Sequence, residues 1–145
     1  MSHTKDVKLA KAILSIEAIE EAYRVTQLGA VRHAWTQEIN SPRPCACPAA
    51  VVAIARGLTH ERVRALELGD GEDEYGHGDP ADAVSDQLGL SDELVTAFAS
   101  GVDGDIPPDF DKDRLAMYHH GNEVREALER GGFLKPDAAQ PYEDA

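Results

Sequence analysis

Residues 48–69 (PAAVVAIARGLTHERVRALELG) and 80–101 (PADAVSDQLGLSDELVTAFASG) run in parallel at a constant offset of 32, with nine identities in 22 positions. The identities fall where helices start and stop. Pro48 and Pro80 suit a first helical position, where the missing N–H has no partner to lose, and Gly57 and Gly89 suit the left-handed residue past a helix end. Thr59 and Ser91 are candidate N-caps, and Glu61 and Glu93 place negative charge beside the positive end of the following helix. Each segment therefore predicts a short helix, a tight glycine turn and a second helix closing at Gly69 or Gly101. Val52, Val63 and Leu66 are expected to be buried in the same roles as Val84, Val95 and Phe98.

Helices are predicted on both sides of this pair. Leu9, Ile13, Ile16, Ile19 and Tyr23 recur at steps of three and four, the spacing of one helix face, with Gly29 as the stop. Val31, Trp35 and Ile39 at steps of four predict a second helical stretch, or a continuation of the first through a kink at Gly29, before the Asn40–Pro44 loop, where the prolines forbid helix. A last helix is expected from Asp111 or Lys112 through Leu115, Tyr118, Val124 and Leu128 to Gly131 and Gly132. The fold class is thus all-α: tandem helix-turn-helix-like hairpins flanked by N- and C-terminal helices in one bundle. At 145 residues, 42% of them hydrophobic, the chain is long enough to bury roughly 70% of its unfolded surface in a single core. We expect one domain over residues 1–135 and a frayed tail over 136–145.

No apolar run reaches the length of a membrane span, and the first 24 residues contain no signal-like apolar stretch, which predicts a soluble cytoplasmic protein. The net charge of −13 is unevenly placed. Residues 1–65 carry nine Lys/Arg against six Asp/Glu, whereas residues 66–113 carry fifteen Asp/Glu against Lys112 alone. Such a local excess attracts cationic surfaces and steers association. It predicts a non-enzymatic interaction module that offers Asp70, Glu72, Asp73, Glu74, Asp79, Asp103, Asp105, Asp109 and Asp111 to a basic partner protein. A surface of this kind would also mimic nucleic acid and inhibit a protein that binds it.

Residues 83–101, with the Leu88-Gly89-Leu90-Ser91 turn and Val95 facing inward, resemble the helix-turn-helix of bacterial repressors. The resemblance implies a nucleic-acid-binding regulator, but Asp92, Glu93 and Thr96 are the wrong residues to face base edges and phosphates. Under this alternative the better reader is the first segment, through Arg56, Arg62 and Arg64 with Arg43 alongside. A second alternative is a metal or redox protein. Cys45 and Cys47 would supply thiolates, with His33, His60 or His77 completing a site. If instead Cys47 caps the helix opened by Pro48, the helix dipole is expected to lower its thiol pKa.

Asp109, Asp111 and Asp113 have the alternation that begins a calcium loop, but Arg114 stands where the turn glycine belongs and His120 replaces the bidentate Glu. A helix cap at Asp109 or Asp111 fits better. His119, His120 and Glu123 share one helical turn, from which they could ligate a metal, but exposed surface residues are the expected reading. Residues 45–104, from a Cys-Pro helix start to the Phe98-Ala99-Ser100-Gly101-Val102-Asp103-Gly104 finish, also resemble a group of small bacterial and phage proteins. That resemblance implies a shared domain and no particular activity, and no cofactor follows from the sequence.

Overall fold

The computed structural model describes residues 6–31, 35–37, 45–67, 79–105 and 109–133. It is mostly helical. The helices are α1 (Val7–Ile13), α2 (Ile16–Thr26), α3 (Pro48–Ala55), α4 (His60–Glu67), α5 (Pro80–Leu88), α6 (Asp92–Asp103) and α7 (Lys112–Arg130). Between α2 and α3 lie three two-residue strands, β1 (Gly29–Ala30), β2 (Thr36–Gln37) and β3 (Cys45–Ala46). No described helix is long and apolar enough to cross a membrane.

Short polar side chains begin most of these helices by accepting the orphan first-turn N–H groups. Asp6 accepts from Lys8 N at 3.0 Å, Ser15 from Ala18 N at 3.1 Å and Thr59 from Arg62 N at 3.2 Å. Asp79 accepts from Asp82 N at 3.0 Å, Ser91 from Leu94 N at 3.4 Å and Asp111 from Arg114 N at 2.9 Å. That N–H bond, with the adjacent Arg114 guanidinium, holds the Asp111 carboxyl below the usual carboxylate range. The expected turns are present too. Gly89 ends α5 at φ 71°, and Gly57, between α3 and α4, has φ 120°, a conformation that a Cβ strongly disfavours. Val52, Val63, Leu66, Val84, Val95 and Phe98 are all buried.

Four expectations are corrected. The N-terminal face is two helices, because Leu14 leaves the helical conformation and Ser15 caps a new start. As a result Ile19 and Tyr23 are buried with Ala10 and Leu14, while Leu9 is 46% exposed. Next, α2 ends at Thr26 with Gln27 in the left-handed conformation, two residues before Gly29. Val31 and Trp35, expected in a helix, instead follow β1 and precede β2 in non-helical backbone, and Ile39 lies outside the described residues. Lastly, Gly101 does not close its helix: α6 runs on to Asp103 and stops at Gly104. Gly69 and the 136–145 tail lie outside the described residues.

Strand β3 is the centre of the small sheet, parallel to β1 (Gly29 opposite Cys45) and antiparallel to β2 (Thr36 opposite Ala46). Its carbonyls also hold neighbouring elements. The buried Tyr23 hydroxyl donates to Ala46 O at 2.7 Å, and His60 Nε2 to Cys45 O at 3.0 Å. Cys47, extended as a residue before proline must be, donates its N–H to Trp35 O at 2.9 Å and leads into α3.

The most extensive packing is of α6 on α7, with α2 on α3 next. Gly101 and Gly121 stand at the α6–α7 crossing, where each backbone touches the other helix. Asn122 Nδ2 donates to Gly101 O at 2.7 Å, and the Tyr118 hydroxyl donates to Asp105 O.

His120, expected at the surface, is buried on α7 between Phe98 and the α1–α2 junction. Its Nε2–H donates to Leu14 O at 2.8 Å. Burial holds its pKa below the ordinary 6.5; the Leu14 bond and Glu123 oppose that shift, and Lys11 adds to it. The unfolded chain therefore takes up a proton at a pH where the folded chain does not. This contribution to stability is complete above the unfolded pKa, near 6.5, and is lost as the pH falls through the lower folded value. Denaturant unfolding between pH 7.5 and 5 should show a fall in stability that is smaller in His120→Gln. Equal falls in the two proteins would refute this assignment.

Candidate functional site

Residues 79–105 carry seven Asp/Glu and no Lys or Arg. The turn between α5 and α6 brings the starts of the two helices close enough for their acids to interact. Ser85 Oγ, on α5, donates to Asp92 Oδ1 on α6 at 3.3 Å. Partial burial pushes the Asp92 carboxyl up, Asp82 and Asp79 push it further, the Ser85 bond opposes them and Glu93 adds a little. Asp79, Asp82, Asp92 and Glu93 thus form one like-charged cluster at the positive ends of α5 and α6. Helix N-termini tolerate this placement well.

The other acidic candidates are spread more widely. Asp103 is half-buried in the last turn of α6, and Asp105, Asp109 and Asp111 are exposed beyond it, with Asp111 serving as the α7 cap. Asp70, Glu72, Asp73 and Glu74 lie outside the described residues.

The basic candidates of the first segment do not line up as one reading surface. Arg56 is exposed beyond α3, and its carbonyl accepts from Gln87 Nε2 at 2.9 Å. Arg62 is half-buried and Arg43 lies outside the described residues. Arg64 turns toward the sheet, where its guanidinium donates to Thr36 O at 3.0 Å and stands 3.6 Å from Glu67. Glu67 in turn accepts from Trp35 N at 2.8 Å, Thr36 N at 3.1 Å and Thr36 Oγ1 at 2.7 Å. Since β2 is an edge strand, the side chains of α4 satisfy backbone groups that another strand would otherwise pair.

This clamp shapes one wall of a cavity of about 240 Å³. Trp35 and Glu67 face Cys47, Pro48 and Ala49 at the start of α3, and residues of α6 from Thr96 to Asp103, Phe98 and Val102 among them, complete the lining. Cys47 stands at the N-cap of α3, as expected, but its thiol is not activated. Burial pushes it up to about 12; the N–H groups of Ala50 and Ala49 favour the thiolate less strongly, and Asp103 and Glu67 oppose it. This corrects the expectation of a lowered pKa, because at a buried helix start desolvation outweighs the dipole. Cys45 is half-exposed, and neither Cys45 nor Cys47 is in a disulfide. Among the described residues no three His, Cys, Asp or Glu side chains converge to hold a metal, and His33 and His77 lie outside them.

Sequence reasoning missed Trp35, Thr36 and Glu67. The chain's single Trp is the one signal that marks this region. Its assignment to a helix face hid the strand and the cavity. No protein-family model matches the chain, and neither curated proteins nor solved structures include a significant match.

Proposed function

We propose that the chain is an acidic protein–protein interaction module that engages a basic partner, in the manner of a nucleic-acid mimic or inhibitor. The observation that carries this reading is the clustering of Asp79, Asp82, Asp92 and Glu93 in a stretch without Lys or Arg, where partial burial raises the Asp92 pKa and the neighbouring Asp82 and Asp79 raise it further. Like charges held together at a surface favour a partner that supplies the opposite sign and repel phosphate backbones. The scaffold is read as two helical hairpins of common origin, residues 48–69 and 80–101. Their matched caps, their positive-φ glycines and their buried Val and Leu or Phe positions support that reading. The nucleic-acid alternative is less well supported, because Arg64 is committed to Thr36 and Glu67.

The test is the affinity of the purified chain for basic proteins, among them nucleic-acid-binding proteins, at rising ionic strength. Binding should weaken steeply with salt, and the triple variant Asp79→Asn, Asp82→Asn, Glu93→Gln should bind more weakly at low salt. Absence of any basic partner, or an interaction indifferent to salt and to the triple variant, would refute the proposal.

A further inference from the structure

We infer that helix α1 is an acid-released strap: protonation of His120 detaches it from α7, with the α1–α2 junction at Leu14 and Ser15 as the hinge. The hinge is written in the backbone. Leu14 leaves the helical conformation at φ −104° and ψ 36°, Ser15 is extended, and it caps α2 as a separate start. Helix α1 has seven residues, of which Ala10 alone is buried, and α7 is the element it packs on most. Isolated helices this short are marginal in water, so α1 stays helical by virtue of its docking.

That docking has a polar tie. His120 Nε2–H reaches from α7 to the hinge and donates to Leu14 O at 2.8 Å, while the centroid of the Phe98 ring on α6 lies 5.6 Å from that of the imidazole. A neutral imidazole is at home between an aromatic ring and one carbonyl. An imidazolium loses water there that the carbonyl replaces only in part. The charged groups that act on the ring are Lys11 of α1, which opposes protonation, and Glu123 of α7, which favours it. Among the described residues α2 and α6 place no charge against it, and burial outweighs the Leu14 bond and Glu123 together. Swinging α1 out about Leu14 removes both obstacles, because the imidazolium regains water and Lys11 leaves with its helix. The α6–α7 pair stays closed, since it is the most extensive packing in the fold.

The released form binds the proton near the ordinary 6.5 and the docked form only at lower pH. The released population is therefore constant above about 6.5 and grows below it, by at most about tenfold for each pH unit. Amide hydrogen exchange of the full chain at pH 7.5 and 5.5 tests this, with protection corrected for the intrinsic pH dependence of exchange. Protection of the amides from Ala10 to Leu14 should fall about three- to tenfold, while α6 and α7 hold theirs. His120→Gln, which keeps an N–H donor for Leu14 O and does not titrate, should show no fall. Lys11→Gln, at an exposed position, should show a smaller fall, because the docked form loses a like charge. His119→Gln, at the exposed neighbour, should leave the fall intact.

Equal protection of α1 at the two pH values would overturn the inference. So would a loss matched in α6 and α7, because the whole fold would then be opening, and so would an undiminished fall in His120→Gln. If that variant fails to fold, the parent and Lys11→Gln decide: an undiminished fall in Lys11→Gln removes His120 as the trigger.

Discussion

Gly101→Ala is expected to destabilise the fold by about 3 kcal/mol or more, the upper range for overpacking. A Cβ at position 101 would lie 2.9 Å from the Tyr118 carbonyl carbon and 3.1 Å from Gly121 Cα. At position 121 it would lie 2.9 Å from Val102 N and 3.0 Å from the Gly101 carbonyl carbon, so Gly121→Ala should behave alike. The clashing atoms are backbone, which cannot move aside as a flexible side chain does. Relief requires α6 and α7 to separate, and that opens the core around Phe98, Val102, Met117 and Val124. The loss corresponds to roughly 10 °C in Tm for a domain of this size. Gly89→Ala is the control: no heavy atom lies within 4 Å of its Cβ position, so only the cost of φ 71° remains, about 1–2 kcal/mol. Thermal unfolding of the three variants should rank them accordingly, and a Gly101→Ala protein as stable as the parent would disprove the close crossing.

The second large effect is expected at Glu67. Glu67→Ala removes the acceptor for Trp35 N, Thr36 N and Thr36 Oγ1. Thr36 is fully buried, so its donors would be left unsatisfied, at about 1–3 kcal/mol each. A total loss near 3 kcal/mol is expected, since β2 can relax toward water and recover part of it. Arg64 would also lose its neighbouring carboxylate, 3.6 Å away. Trp35 should shift its emission to the red as its backbone anchor goes. Glu67→Gln, which keeps one carbonyl acceptor, should fall between parent and Ala. If denaturant midpoints and Trp35 emission are unchanged in Glu67→Ala, the clamp between α4 and the edge strand does not contribute as described.

Much of the helical organisation was legible in the sequence because its signals are local. Ser91 and Thr59 accept first-turn N–H groups, Pro80 opens α5, Gly89 ends it, and Asp111 caps α7, each through chemistry that acts over three or four residues. The misreadings share another cause. Leu9 and Ile13 match the period of Ile16 and Ile19, but periodicity does not show that Ser15 restarts the helix and turns the face. Val31 and Trp35 also fit a helical step, although Thr36, directly after Trp35, is held in a strand by pairing with β3 and by a carboxylate 31 residues away.

The acidic stretch was visible from composition alone, since charge is a property of residue type. The sequence by itself determined where helices begin, where two glycine turns fall and that one third of the chain is strongly acidic, because caps, φ preferences and ionisation are local. Only the tertiary structure decided that Gly101 is a helix contact and not a stop, that His120 is buried against Leu14, and that burial pushes the Cys47 thiol pKa up. It alone brought Glu67, Trp35 and Asp103 around one cavity. Each of these depends on which distant segment excludes water or supplies a partner, and neither propensity nor spacing encodes that.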